Sequence, residues 1–124
     1  VEARRVFRGR RIELLAGEVV LPTGERVYRE YIRHPGAVVV VAENARGEVL
    51  LLRQFRAPVN EWVLEFPAGT LEANEDPRET ALRELREEAG VVAGRIKHLV
   101  SFYTSPGISN EIIHAFVARD LEVE

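Results

Sequence analysis

Apolar and polar positions change period several times along the chain, and each change marks an element. Residues 11–21 carry Ile12, Leu14, Leu15, Val19 and Val20, and residues 25–33 carry Val27, Tyr28, Tyr31 and Ile32. Both runs are strand-like, and Pro22-Thr23-Gly24 between them is a turn signal, so the pair predicts a hairpin. A hairpin alone is marginal and needs a surface to lie against. After His34-Pro35-Gly36 comes Ala37-Val38-Val39-Val40-Val41, a continuous apolar run of the kind covered on both faces. Asn44-Ala45-Arg46-Gly47 turns the chain into Val49-Leu50-Leu51-Leu52, and Trp62-Val63-Leu64-Glu65-Phe66 predicts a further strand. Residues 95–104 and 111–119 read as two more, joined by Ser105-Pro106-Gly107-Ile108-Ser109-Asn110.

Over residues 77–89 the period lengthens to that of a helix. At about 100° per residue, Ala81, Leu82, Leu85 and Ala89 share one stripe, which is expected to pack onto a sheet. Asp76 is expected to cap free backbone N–H groups, and Pro77 suits the first helical position. Gly90 is the expected stop, because glycine accepts the left-handed conformation at a helix end. Strands on both sides of one helix predict an α/β chain with a mixed sheet under helical cover.

Composition then narrows the class. The 124 residues suit one compact domain, and 46% hydrophobic with 30% charged content suits a globular chain. A net charge of −3 offers no electrostatic footprint for nucleic acid or an anionic membrane. The Arg-rich lead (Arg4, Arg5, Arg8, Arg10, Arg11) is therefore expected to be solvated or at an interface. No apolar run is long enough to span a bilayer and no signal-peptide pattern stands at the start, so cytoplasm is the default expectation. Cysteine is absent, which excludes a disulfide framework and thiol chemistry.

The helix also carries the candidate chemistry. Glu84, Glu87 and Glu88 fall on a stripe beside the apolar one, and like charges at this spacing destabilise an isolated helix. Arg83 and Arg86 relieve part of that repulsion. A Glu-rich helix can be a solvated face stapled by Arg–Glu pairs. Charge runs are usually surface, but such a cluster also suits a hard divalent cation, since magnesium takes one or two carboxylates together with substrate phosphate.

The whole stretch decides between these. Gly69, Glu75, Arg83, Glu84, Leu85, Glu87, Glu88, Gly90 and Val91 fill the pattern G-x5-E-x7-R-E-U-x-E-E-x-G-U, with U a bulky aliphatic, at every fixed position. The chain thereby resembles the Nudix hydrolases, which cleave a nucleoside diphosphate linked to another group. The resemblance implies an α/β/α sandwich with a mixed sheet in residues 35–124, and a divalent cation, magnesium first and manganese or another ion as alternatives. It implies metal binding by the Ala68 carbonyl, Glu84, Glu87 and Glu88. Gly69, Glu75, Arg83 and Gly90 would be architectural, and Leu85 would be core. The general base has candidates in Glu84 and Glu87 inside the motif and Glu111 outside it. Such proteins usually close the second sheet face with a C-terminal helix. The sequence ends at Leu121-Glu122-Val123-Glu124 without one, so a later segment or another element is expected to cover that face.

Leu51-Leu52-Arg53-Gln54-Phe55-Arg56, the Trp62–Gly69 run, the Gly24–Glu30 hairpin and Pro106 look like the ADP-ribose pyrophosphatase branch. That resemblance implies hydrolysis of ADP-ribose to AMP and ribose 5-phosphate. Alternatives are another nucleotide substrate (a nucleotide sugar, dinucleoside polyphosphate or nucleoside triphosphate) and a non-catalytic nucleotide-sensing domain. It further implies a homodimer in which the N-terminal strands, residues 1–34, exchange between subunits. Arg29 and Arg56 are the leading phosphate or ribose contacts and Arg53 a weaker one, because guanidinium matches phosphate bidentately. Phe7, Tyr28 and Tyr31 are candidates to stack on adenine. Glu65 is expected near the metals or paired with an arginine. His34, His98 and His114 read as structural, and Ser105 and Ser109 lack a base partner in sequence.

Overall fold

The computed structural model describes residues 3–124. Val1 and Glu2, where the expected N-terminal region begins, lie outside the described residues. The chain divides into two units, one holding the described residues up to Gly36 together with Tyr103–Ile112, the other Ala37–Phe102 with Ile113–Glu124.

The first unit is built on an antiparallel sheet of β1 (Arg4–Arg8), β2 (Glu13–Val20) and β3 (Arg26–Arg33), in that spatial order. The expected hairpin is β2–β3, in register from Glu13↔Arg33 to Val20↔Arg26. Gly24 turns it at φ +89°, a conformation open to glycine at no steric cost. Arg4, Arg5, Arg8, Arg10 and Arg11 are exposed, in keeping with the expectation that they are solvated or at an interface, and Arg4–Arg8 in addition forms a third strand, with Phe7 opposite Leu14. The return loop joins the same unit through Ile32 N–H to the Ile108 carbonyl at 2.7 Å and Asn110 N–H to the Ile32 carbonyl at 3.2 Å.

The second unit holds, but for the end residues Tyr103 and Ile112, a four-stranded sheet in the order β7 (Ala68–Thr70), β4 (Ala37–Ala42), β9 (Ile112–Val123), β8 (Val91–Tyr103). β4 pairs antiparallel with β7 and parallel with β9, so the sheet is mixed as expected. β5 (Leu52–Arg56) and β6 (Glu61–Glu65) form a separate antiparallel pair. Val49–Leu51 does not join β5 as expected. Val49 instead bridges to Glu43 and Leu50 donates its N–H to the Ala42 carbonyl, so these residues close the turn after β4.

Helix α1 (Pro77–Ala89) is the one helix among the described residues and contacts β4 and β7. Ala81, Leu85 and Thr80 are buried on its inner face, where Leu85 joins Val38, Val40, Ile96 and Phe116 in one core. Burying a leucine fully contributes about 2 kcal/mol. Gly90 ends the helix in the left-handed conformation, its N–H on the Arg86 carbonyl at 2.8 Å. Asp76 is a correction: its side chain makes no capping bond, and its carbonyl instead accepts both the N–H and the Oγ1–H of Thr80. On β4, Val38, Val40 and Ala42 are buried while Val39 and Val41 are half-buried, so the cover is complete on one face and partial on the other.

Candidate active site

The site starts from a fixed piece of backbone. β7 is held on β4 with Val38 opposite Gly69 and Val39 opposite Ala68, and the Val40 N–H binds the Pro67 carbonyl at 2.8 Å. The loop from β7 to α1 folds on itself, Glu75 Oε1 accepting the Glu72 N–H at 2.9 Å. Arg83 reaches back from the helix to Glu75 Oε2 at 2.7 Å, tying loop to helix. The Glu72 N–H, then Thr80 and Arg83, hold the Glu75 carboxyl below the usual carboxylate range.

The last two turns of α1 bring Glu84 and Glu88 against that backbone. Glu88 accepts the Ala68 N–H at 3.0 Å on one oxygen and faces Gln54 Nε2 at 3.4 Å on the other. Glu84 lies against Gly69 so closely that a Cβ there would overlap its side chain. Burial pushes Glu84 above the usual carboxylate range, with Glu88, Glu87 and Glu75 adding to the effect against the opposing charge of Arg83. Glu87 is more exposed, and Arg83 stands 3.5 Å from both Glu84 and Glu87. Ala68 thus meets the cluster through its amide, whereas the resemblance concerns its carbonyl.

Hard oxygen donors that repel one another, one of them resisting ionisation, fit a divalent cation by donor chemistry. No three His, Asp or Glu side chains converge as a ready-made chelate among the described residues. The reason is visible: Arg83 draws Glu84 and Glu87 toward itself while Glu88 is bonded to Ala68.

The two faces of β5 differ. Gln54 and Arg56 share one side, Arg53 and Phe55 the other, as the period of two requires. Arg56 grips Glu65 with both ends of its guanidinium, Nε to Oε2 at 2.6 Å and Nη2 to Oε1. The fork lowers the Glu65 pKa and raises that of Arg56, on which the Glu88 charge also acts. Arg53 instead lies over the Trp62 ring, 5.1 Å from its centroid, and Phe55 meets the same ring edge-on at 5.7 Å. Gln54 is the contact that sequence reasoning did not single out, and its place two residues before Arg56 was the available signal.

Glu111, His34, Arg29 and Tyr28 lie in the first unit. Glu111 accepts from Thr104 Oγ1 at 2.8 Å and stands 3.5 Å from His34 Nε2, while the Gly36 N–H binds His34 Nδ1 at 2.9 Å. Arg29 bonds the Tyr28 carbonyl at 3.0 Å, and the Tyr28 hydroxyl donates to Glu30 at 3.0 Å. In the second unit His98 and His114 both meet Ser101 Oγ, at 2.8 and 2.7 Å, an association that spacing along the chain did not reveal.

Residues 33–124 match the family described as the NUDIX domain. The chain is 43% identical over 123 residues to an ADP-ribose pyrophosphatase of Bacillus subtilis, covering 99% of this chain and 66% of that protein. It is 45% identical over 121 residues to a methanol dehydrogenase activator of Bacillus methanolicus, covering 98% and 65%. It therefore spans about two thirds of the length of these relatives. Its fold is that of a crystal structure of an ADP compounds hydrolase, with a TM-score of 0.82 at 24% identity over 100% of this chain and 68% of the other.

Proposed function

The chain belongs to the NUDIX domain family, and on that premise we propose that it hydrolyses the pyrophosphate of ADP-ribose to AMP and ribose 5-phosphate. The observation that carries the reading is the gathering of Glu84 and Glu88 on the Ala68–Gly69 backbone, with Gln54 beside Glu88. A relative named for the same activity, 43% identical over nearly the whole chain, supports the choice of substrate.

Glu84, Glu88 and the Ala68 carbonyl would hold a divalent cation, magnesium first, with Glu87 serving a second. Such an ion would neutralise charge on the pyrophosphate and orient an attacking water. The chain's own residues do the rest. Gly69 lets the backbone come close, and Arg83 fixes the loop. Arg56 supplies a guanidinium fork for a phosphate once it exchanges its partner Glu65, and Arg29 is a further phosphate contact. A base among Glu84, Glu87 and Glu111 takes the proton of the attacking water. A magnesium-supported panel of ADP-ribose, FAD, a diadenosine polyphosphate and a sugar nucleotide tests the assignment. A clear preference for ADP-ribose with AMP as product is the expected result, and preference for another member discards the substrate.

The 45% identity to a methanol dehydrogenase activator supports a second reading, in which the same site serves a dehydrogenase. Adding the chain to a methanol dehydrogenase and finding its rate unchanged would remove it.

The same reading takes residues 1–34 as a dimerisation region. Val6, Phe7, Val20 and Tyr28 expose between 53% and 60% of their surface on the three-stranded sheet, a suitable face for a second copy. Sedimentation of the intact chain is expected to give a dimer at micromolar concentration; a monomer there refutes this.

A further inference from the structure

Arg56 and Glu65 are not paired as ordinary cross-strand neighbours are. On the face of the β5–β6 pair that carries Gln54, Leu52 stands opposite Glu65, Gln54 opposite Val63 and Arg56 opposite Glu61. Residues directly opposite are the ones that interact across a ladder. Arg56 nevertheless forms no ion pair with Glu61 among the described residues. It extends along the face, across the row of Gln54 and Val63, to reach Glu65 two rows away, about 13 Å of strand. Glu61 is left exposed, whereas Glu65 is half-buried.

Glu65 ends β6 three residues before Ala68, so this detour carries the guanidinium toward the Ala68–Gly69 backbone. Gln54, on the same face, meets Glu88, and the Glu88 charge acts on Arg56. The Nε and Nη2 donors of Arg56 both bind Glu65, through Oε2 at 2.6 Å and through Oε1. Two parallel N–H···O bonds are also how a guanidinium grips a phosphate. Glu65 has no other side-chain partner among the described residues.

Resting on the reading of Arg56 as a phosphate contact, we propose that Glu65 is an internal competitor for the ligand's diphosphate, filling the Arg56 fork until a phosphate displaces it. A site whose binding-competent state is populated only part of the time binds its ligand more weakly by that fraction. Glu65 therefore weakens every ligand that needs the fork and none that does not, which makes it a specificity-determining residue.

Isothermal titration of inorganic pyrophosphate, with magnesium present throughout, tests this. Glu65→Gln is expected to bind about three- to tenfold more tightly, the range that release of an exposed ion pair supports. Glu61→Gln removes the same charge from the same face without freeing the fork, and its affinity is expected to match that of the unaltered chain. Arg56→Met is expected to weaken binding, and adding Glu65→Gln to it to give no further gain, since both changes act through one contact. Weaker binding by Glu65→Gln would mean that the carboxylate orients Arg56 for the ligand, and overturns the proposal. Unchanged affinity in Glu65→Gln, equal tightening in Glu61→Gln, or tightening that survives Arg56→Met overturns it as well. Pyrophosphate that binds none of these chains removes Arg56 as a phosphate contact and the proposal with it. Glu65→Asp, which keeps the charge but shortens its reach, is expected to fall between Glu65→Gln and the unaltered chain, and gives a second reading should the amide disturb folding. Pyrophosphate is common to ADP-ribose and its alternatives and turnover is not read, so preference for another substrate leaves the outcome standing.

Discussion

Glu88→Gln is expected to lower turnover of ADP-ribose by about three orders of magnitude while the melting temperature moves by only a few degrees. Glutamine conserves volume and keeps an oxygen for the Ala68 N–H, so the bond at 3.0 Å survives. What is lost is a negative charge in a cluster whose members already raise one another's cost of ionisation, as Glu84 shows. If those charges exist to hold a cation, removing one should relieve repulsion in the folded chain and still abolish catalysis. The two readouts therefore move apart. Were the cluster only a solvated helix face, loss of charge would leave turnover near normal, and that result would sink the metal assignment. Circular dichroism and a thermal melt beside the kinetics separate this from misfolding.

Much of the scaffold is legible in the chain because its signals are local. Pro77 and Gly90 act on their own backbone, so the helix runs Pro77–Ala89 as its period predicts. Its buried stripe needs no knowledge of the partner, only the repeat that brings Ala81 and Leu85 to one side. Asp76 defeats the same kind of reasoning because a cap has competitors. Thr80 supplies both an N–H and a hydroxyl to the Asp76 carbonyl, and the carboxylate makes no cap bond.

The parts that were not legible depend on partners distant in sequence. Val49-Leu50-Leu51 is as apolar as a strand, but its backbone bonds go to Ala42 and Glu43, and those choices are not written in its own pattern. Arg4–Arg8 is the exposed basic run its composition suggests, but that β2 offers it a ladder is not written in it. The first unit is discontinuous because Ile32 bonds across to Ile108, which no local signal announces. In the site itself, the motif names Glu84, Glu87 and Glu88 from spacing alone. That Gln54 faces Glu88 across 34 positions, or that Glu65 occupies the Arg56 fork, emerges only from the pairing of β5 with β6 and the docking of α1. Arg53 and Arg56 are chemically alike in sequence, and the strand's period of two turns one toward Trp62 and the other toward Glu65.

Gly69→Ala is expected to reduce kcat/KM by about tenfold to a hundredfold, through Glu84 rather than through the backbone. Gly69 is not among the residues with positive φ, so alanine meets no conformational barrier there. The obstruction is steric: the new Cβ would occupy space now filled by the Glu84 side chain. Glu84 must then leave its rotamer, at a cost of about 1 kcal/mol, and its carboxylate moves off the Ala68–Gly69 backbone. Stability should change little, because the displaced group is a side-chain end that burial already disfavours in its charged form. A double-mutant cycle identifies the route. In a Glu84→Ala background there is no side chain to displace, so adding Gly69→Ala should cost almost nothing further. Two sites acting through one contact behave in this non-additive way, whereas independent effects sum. A full second loss in the double variant would show that glycine is needed for the backbone itself, and the steric account would fall.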